Sequence, residues 1–250
     1  MTDKAKVLVL GGTAEARNLA ELIEKKFQGK ITLINSLAGR TQNPVAIPGL
    51  SRVGGFGGAL GLENFLKTEK ISAVIDATHP FAETISEHAY DACYRAEIAR
   101  ITLARPEWKL PPSASWIEAN DVKDATQMLP KISTRVFLTT GTYQLARFAT
   151  LKKLFFLIRL IERPDQFPDF ENHHLITARP PYDLESDEAL FNDFKIDALV
   201  CKNSGGAIPA KIDIALKNRI PIVLIKRPAP VPGPMTTDAN ECIRCLEKLI

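Results

Sequence analysis

The join between Lys6–Leu10 and the glycines behind it narrows the fold more than any other feature of the chain. Behind Lys6, VLVL is a continuous apolar run of strand length, which suits a strand buried on both faces. It runs directly into Gly11-Gly12-Thr13-Ala14-Glu15-Ala16. Beyond the glycines, Ala16, Leu19, Ala20, Leu22, Ile23 and Phe27 recur at helical spacing, predicting a helix over 14–26. A buried strand, a glycine turn and an amphipathic helix open a βα unit. Strands predicted at 31–34, 72–76 and 101–104 and a helix at 80–95 continue it, so the first half should form a parallel sheet covered by helices.

From Arg105 the composition shifts to RPEWKLPPSAS and the periodicity stops, which predicts a domain junction. The pattern then restarts. Strands are predicted at 116–119, 135–138, 154–159, 198–201 and 221–225, with helices at 142–149, 185–194 and 207–217. The expected fold is α/β, two doubly wound Rossmann-like lobes with parallel sheets and a cleft between them, spanning 1–104 and 105–250. Ligands belong beyond the carboxyl ends of the strands in such sheets.

Composition removes several classes of protein. With 250 residues, 45% hydrophobic and 24% charged, the chain is neither disordered nor fibrous. No stretch approaches the roughly 18 uninterrupted apolar residues of a membrane span, and a cytoplasmic, untargeted protein is expected. Lys and Arg number 32 against 29 Asp and Glu, a net charge of +3, too weak a field for the usual nucleic-acid footprint. Four cysteines, Cys93, Cys201, Cys242 and Cys245, are too few and too scattered for a secreted disulfide framework. Cys242 and Cys245 form C-x-x-C in the terminal helix without a second ligand pair, so no metal site is expected.

The chemistry-bearing residues of the first half follow its predicted strands. Gly11, Gly12, Thr13 and Ala14 place backbone N–H groups and a helix N-terminus where a phosphate binds, although Thr13 replaces the second glycine of the dinucleotide fingerprint. After the second strand comes Ser36-Leu37-Ala38-Gly39-Arg40-Thr41. NAD-selective folds carry a carboxylate there; here Arg40, with Ser36 and Thr41 alongside, suits a 2′-phosphate and favours NADP. RVGGFGG, with Gly55 and Gly57, brings backbone close to a cofactor or to another strand. At the end of the strand over 72–76, DATHPFA offers Thr78 and His79 as candidate catalytic residues.

In the second half Thr139-Thr140-Gly141 and Lys202-Asn203-Ser204-Gly205-Gly206 each end a strand and begin a helix, a setting for an anion. Arg159, Arg163, Arg179, Lys211 and Arg227 add cations near predicted strand or loop ends. A polycarboxylate ligand fits that half, through Thr140, Gly141 and Lys202 to Gly206.

GGTAEAR (11–17), SLAGRT (36–41), RVGGFGG (52–58), DATHPFA (76–82), RPEW (105–108), TTG (139–141) and KNSGG (202–206) occur in the order seen in precorrin-6A reductases. The chain resembles that family of cobalamin biosynthesis along nearly its whole length. It departs at Arg179-Pro180-Pro181-Tyr182, where a Gly-Pro-Phe-like turn is expected. The resemblance implies hydride transfer from NADPH to one double bond of a contracted tetrapyrrole polycarboxylate, giving the 6B form of precorrin-6A or cobalt-precorrin-6A. It adds Arg17 to the cofactor-binding residues, makes 1–104 the NADP-binding lobe and 105–250 the substrate lobe, and leaves His79 or the substrate's own pyrrolic nitrogen to handle the proton. Two other readings stay open, a non-enzymic NADPH-sensing regulator and a nucleotide-sugar transferase. The first would not need the cationic second lobe; the second would carry acidic metal or base residues.

Overall fold

A computed structural model describes residues 4–38, 47–112 and 116–250. In chain order the elements are β1 (Lys6–Leu10), α1 (Ala14–Phe27), β2 (Thr32–Leu37), β3 (Leu50–Val53), α2 (Gly58–Thr68), β4 (Ile71–Asp76), α3 (Glu83–Ala96) and β5 (Ala99–Leu103). Next come β6 (Trp116–Ala119), α4 (Val122–Ile132), β7 (Arg135–Leu138), α5 (Leu145–Ala149), β8 (Phe155–Leu160), β9 (His173–Thr177), α6 (Leu184–Asp193), β10 (Ala198–Lys202), α7 (Ala210–Lys217) and β11 (Ile222–Ile225). The chain closes with β12 (Met235–Thr236) and α8 (Ala239–Glu247).

It divides into two compact units, Met1–Pro106 with Pro228–Ile250, and Glu107–Arg227. Each holds a six-stranded parallel α/β sheet. The first unit runs β12-β5-β4-β1-β2-β3. Side chains of β1 alternate, as a strand buried on both faces requires. Val7 and Val9 pack with Leu19 and Ile23 of α1 and with Cys242 and Leu246 of α8. Leu8 and Leu10 face the other way, onto Leu62 and Leu66 of α2 and Ala89 and Cys93 of α3. The sheet is therefore doubly wound. Leu19 and Ile23 are fully buried, each contributing about 1.5–3 kcal/mol relative to exposure.

The second unit runs β6-β11-β10-β7-β8-β9. One face buries Phe137, Leu157, Leu199 and Leu224 against Phe191 of α6 and Ile212 and Ala215 of α7. Asp121 caps α4 by accepting the Asp124 N–H, and Val122, Ala125 and Leu129 are its buried face.

The predicted second lobe of 105–250 is too long. Its last stretch returns to the first unit, where β12 lies parallel to β5 with Met235 opposite Thr102 and Thr236 opposite Leu103. The Thr102 N–H donates to the Pro234 carbonyl and the Ala104 N–H to that of Thr236, both at 2.9 Å. Buried Arg100 fastens the approach, donating to the Pro232 carbonyl at 2.7 Å and to Thr102 Oγ1 at 2.6 Å. β3 and α2 form around and beyond the glycine-rich RVGGFGG, and with α4, β9 and β12 they are elements that the sequence pattern does not predict. Gly61 explains why α2 starts so soon, since a Cβ there would lie 1.7 Å from the Phe56 carbonyl oxygen. Among the described residues no helix is long and apolar enough to cross a membrane.

Candidate functional site

The first sheet reverses its winding between β1 and β4, and ligands of open parallel sheets bind outside the carboxyl ends of the strands at such a point. Thr13 organises the turn after β1. As N-cap of α1 its Oγ1 accepts the Ala16 N–H at 3.0 Å and donates to the Ala77 carbonyl, beyond β4, at 2.7 Å. The residue in place of the second fingerprint glycine thus clamps two strand ends. Gly11 donates its N–H to the Ser36 carbonyl at 3.0 Å, and a Cβ on it would press on Ala16 at 3.4 Å. Gly12 has φ +100, and a Cβ there would meet nothing within 4 Å, so the ground before the turn is open. Ala14 begins the helix and half-buried Arg17 lies in its first turn. Glu15 accepts from Arg105 Nη2 at 2.6 Å, which occupies the carboxylate nearest that helix end.

Ser36 is buried near the end of β2, and Arg40 and Thr41 lie outside the described residues. Gly55 and Gly57 fall in the loop after β3, and Arg52, which the spacing of residues gave no reason to single out, holds that loop. Its Nη1 donates to Ser36 Oγ at 3.2 Å and to the Gly54 carbonyl at 2.7 Å; Nη2 donates to the Gly55 carbonyl at 2.7 Å. After β4, buried Asp76 accepts from the Thr78 N–H at 3.1 Å and from Thr78 Oγ1 at 2.7 Å. The Thr78 hydroxyl proton is therefore spent within the turn. His79 Nδ1 accepts the Phe81 N–H at 3.2 Å, which assigns the ring proton of the neutral imidazole to Nε2. Gly11 to Ala14, Arg17, Ser36, Gly55, Gly57, Thr78 and His79 all gather at the carboxyl edge of β1 to β4.

In the second unit the winding reverses between β7 and β10, and the two predicted loops leave those two neighbouring strands. Thr140 is fully buried with its hydroxyl unpartnered, and Gly141 follows at φ +71. Lys202 ends β10 with Nζ 5.8 Å from the Tyr143 ring centroid. Asn203 is structural: its Oδ1 accepts the Trp108 N–H at 3.0 Å and its carbonyl accepts Arg227 Nε at 2.7 Å. The Ser204 N–H donates to the Lys202 carbonyl at 2.6 Å, and Gly205 and Gly206 take φ of 70 and 78. Thr140, Gly141 and Lys202 to Gly206 thus share one strand edge.

The accompanying cations divide. Arg159 is paired with Asp187, both buried, and lies 3.7 Å over the Tyr182 ring. Arg179 pairs with Glu162. Half-buried Lys211 donates to Thr139 Oγ1 at 2.7 Å, and burial, then the like charge of Arg159, lowers its pKa to about 8 against the opposing pull of Cys201 and Asp187. Burial pushes the Cys242 thiol up to about 12. Among the described residues no group of three or more His, Cys, Asp or Glu is placed to hold a metal.

Residues 6–247 match the family model described as precorrin-6x reductase CbiJ/CobK. The chain belongs to the precorrin-6x reductase family. A Rhodococcus erythropolis protein named precorrin-6A reductase is 42% identical over 235 residues, covering 93% of each chain. A Synechocystis protein named cobalt-precorrin-6A reductase is 27% identical over 249 residues, covering 95% of this chain and 94% of its own. The solved structure of CobK precorrin-6A reductase shares 35% identity at a TM-score of 0.89, covering 98% of this chain and 96% of that one. Membership of the precorrin-6x reductases makes this chain an oxidoreductase and implies a nicotinamide cofactor. These relatives are named as reductases, not as regulators or sugar transferases.

Proposed function

We propose that the chain reduces one double bond of precorrin-6A, a contracted tetrapyrrole polycarboxylate, with NADPH as the donor. The match along residues 6–247, which spans both units, carries this reading. The metal-free macrocycle is favoured over the cobalt form because the relative named for it is 42% identical and the one named for the cobalt form 27%.

The first unit suits the cofactor. Open ground before Gly12 and the N-terminus of α1 fit a pyrophosphate, held by Gly11, Gly12, Thr13 and Ala14 with Arg17 beside them. Ser36, Arg40 and Thr41 would take the adenosine 2′-phosphate, and Gly55 and Gly57 keep the neighbouring backbone clear of side chains. When bound, NADPH supplies a hydride to a ring carbon, and one proton completes the reduction. His79 would deliver it from Nε2 as the imidazolium, Nδ1 taking up a proton from water in place of the Phe81 N–H bond and the ring ending neutral; Thr78, bonded to Asp76, fixes the loop that presents His79.

The second unit suits the substrate's carboxylates. Lys202 supplies a point charge, the Ser204 to Gly206 backbone follows it, and the unpartnered Thr140 hydroxyl offers a buried donor beside Gly141.

Incubating the protein anaerobically with precorrin-6A and either nicotinamide, while following nicotinamide absorbance and the mass of the macrocycle, tests the reading. NADPH oxidation matched by a dihydro product is expected, with NADH slower. Intact NADPH and unchanged macrocycle would overturn it.

A further inference from the structure

Among the described residues the guanidinium of Arg52 has no counter-charge. Its three acceptors among the described residues are neutral, the Ser36 hydroxyl and the Gly54 and Gly55 carbonyls. Its carbon lies 3.7 Å over the Phe56 ring and 5.3 Å from that of Phe65. Among the described residues Arg52 takes part in no ion pair, whereas Arg100, Arg105 and Arg159 each have a carboxylate. Burial lowers its pKa, as expected of a cation drawn from water onto apolar rings without an anion beside it. Of its five N–H hydrogens three are bonded, two from Nη1 and one from Nη2. Among the described residues the Nε hydrogen and the second Nη2 hydrogen meet no acceptor.

The place gives that charge a meaning. Arg52 stands directly across from Ser36 in the β2–β3 ladder, and the end of the second strand is where this sheet order reads the ribose next to adenine. A carboxylate there would select the free 2′-hydroxyl; the described side chains at this spot are instead a hydroxyl and a guanidinium that donates to it. Guanidinium and a phosphate monoester form strong, charge-assisted pairs. A cation that only pinned the glycine loop would not need to be an unpaired one.

We propose that Arg52 is a specificity-determining residue, its two unused hydrogens and the Ser36 hydroxyl it orients receiving the 2′-phosphate of the cofactor. This rests on the reading of the first unit as an NADPH site and extends it to a residue on β3 that the loop after β2 does not contain.

The two ligands that separate the possibilities are 2′,5′-ADP and 5′-AMP, which differ by the phosphate alone. Titrated into the full chain, 2′,5′-ADP should bind about tenfold or more tightly than 5′-AMP. Arg52→Gln should remove most of that preference while leaving 5′-AMP within about twofold, and Arg52→Lys should keep part of it. Equal losses for both ligands would make Arg52 only a loop clip and overturn the proposal. Modification of the unmutated protein by phenylglyoxal, read at the Arg52 peptide by mass spectrometry, gives the same answer without a variant that must fold. Protection by 2′,5′-ADP and not by 5′-AMP supports the assignment; equal protection by both, or none, overturns it. If the unmutated protein binds both nucleotides equally, the NADPH reading falls and takes this proposal with it; a preference that survives both variants sinks the proposal alone.

Discussion

Thr13 Oγ1 and the carbonyl of Ala77 are 2.7 Å apart, joining the turn after β1 to the turn after β4 across the point where the first sheet reverses. The same oxygen caps α1 through the Ala16 N–H. Thr13→Val keeps the shape and removes both bonds, so the protein should lose about 1–2 kcal/mol in urea unfolding. Because the phosphate turn loosens as a whole, NADPH and NADH should weaken together. A variant of unchanged stability would mean the clamp is decorative.

His79 tests the proton assignment. Its Nδ1 accepts the Phe81 N–H at 3.2 Å. His79→Ala should lower turnover by roughly 10²-fold with nicotinamide affinity intact, measured by single-turnover kinetics beside equilibrium titration. Undiminished turnover would hand the proton to a pyrrolic nitrogen of the substrate.

Lys202→Met should weaken binding of the tetrapyrrole product and leave NADPH affinity unchanged. The wild-type advantage should shrink as salt is raised, since a half-exposed point charge is screened. Loss of NADPH binding with the tetrapyrrole retained would exchange the ligands assigned to the two units.

Asp187→Ala leaves the Arg159 guanidinium buried and unpaired. Breaking a buried pair in this way costs about 3–5 kcal/mol, a loss that urea midpoints would register at once. Asp187→Asn, which keeps a hydrogen-bond acceptor, should cost less.

Lys211 makes stability depend on alkaline pH. Its ammonium titrates at about 8 in the folded protein and at about 10.4 in an unfolded chain. Between those values the unfolded state holds more protons, so stability from this group rises with pH, and below about 8 the cost of the buried charge is constant. Lys211→Met should abolish that rise, which amounts to at most about 3 kcal/mol. Unfolding curves for both proteins at pH 7 and pH 10 would read the difference.

Elements whose own side chains dictate their state were legible in the sequence. The apolar run of β1, the glycine turn and the stripe of α1 agree at every level, and so do β4, β10 and β11. Others depend on partners that the linear pattern does not carry. β3 is mostly exposed and held by its ladder to β2, and β12 is two residues long and exists because β5 has a free edge. α4, which the sequence pattern does not predict, carries its N-cap at Asp121, its buried stripe in Val122, Ala125 and Leu129, and Pro130 in its last turn. Arg52 is visible in the sequence only as the first residue of RVGGFGG and without a role, for the same reason as β3: its acceptors are a hydroxyl on a neighbouring strand and two carbonyls, and no spacing of residue types announces them. The motif residues themselves were visible because glycines and strand-end hydroxyls sit where a parallel sheet must leave them.

The return of β12 and α8 sets the order in which the chain is finished. A ribosome delivers β1 to β5 first, yet the edge strand beside β5 and the helix that covers α1 emerge last, after all of Glu107–Arg227. The second unit is contiguous in the chain and takes no strand of its sheet from outside Glu107–Arg227. The first waits for the residues beyond Pro228, its α1 face bare until α8 has been made, so a chain interrupted before Ala239 leaves the earlier-made unit unfinished.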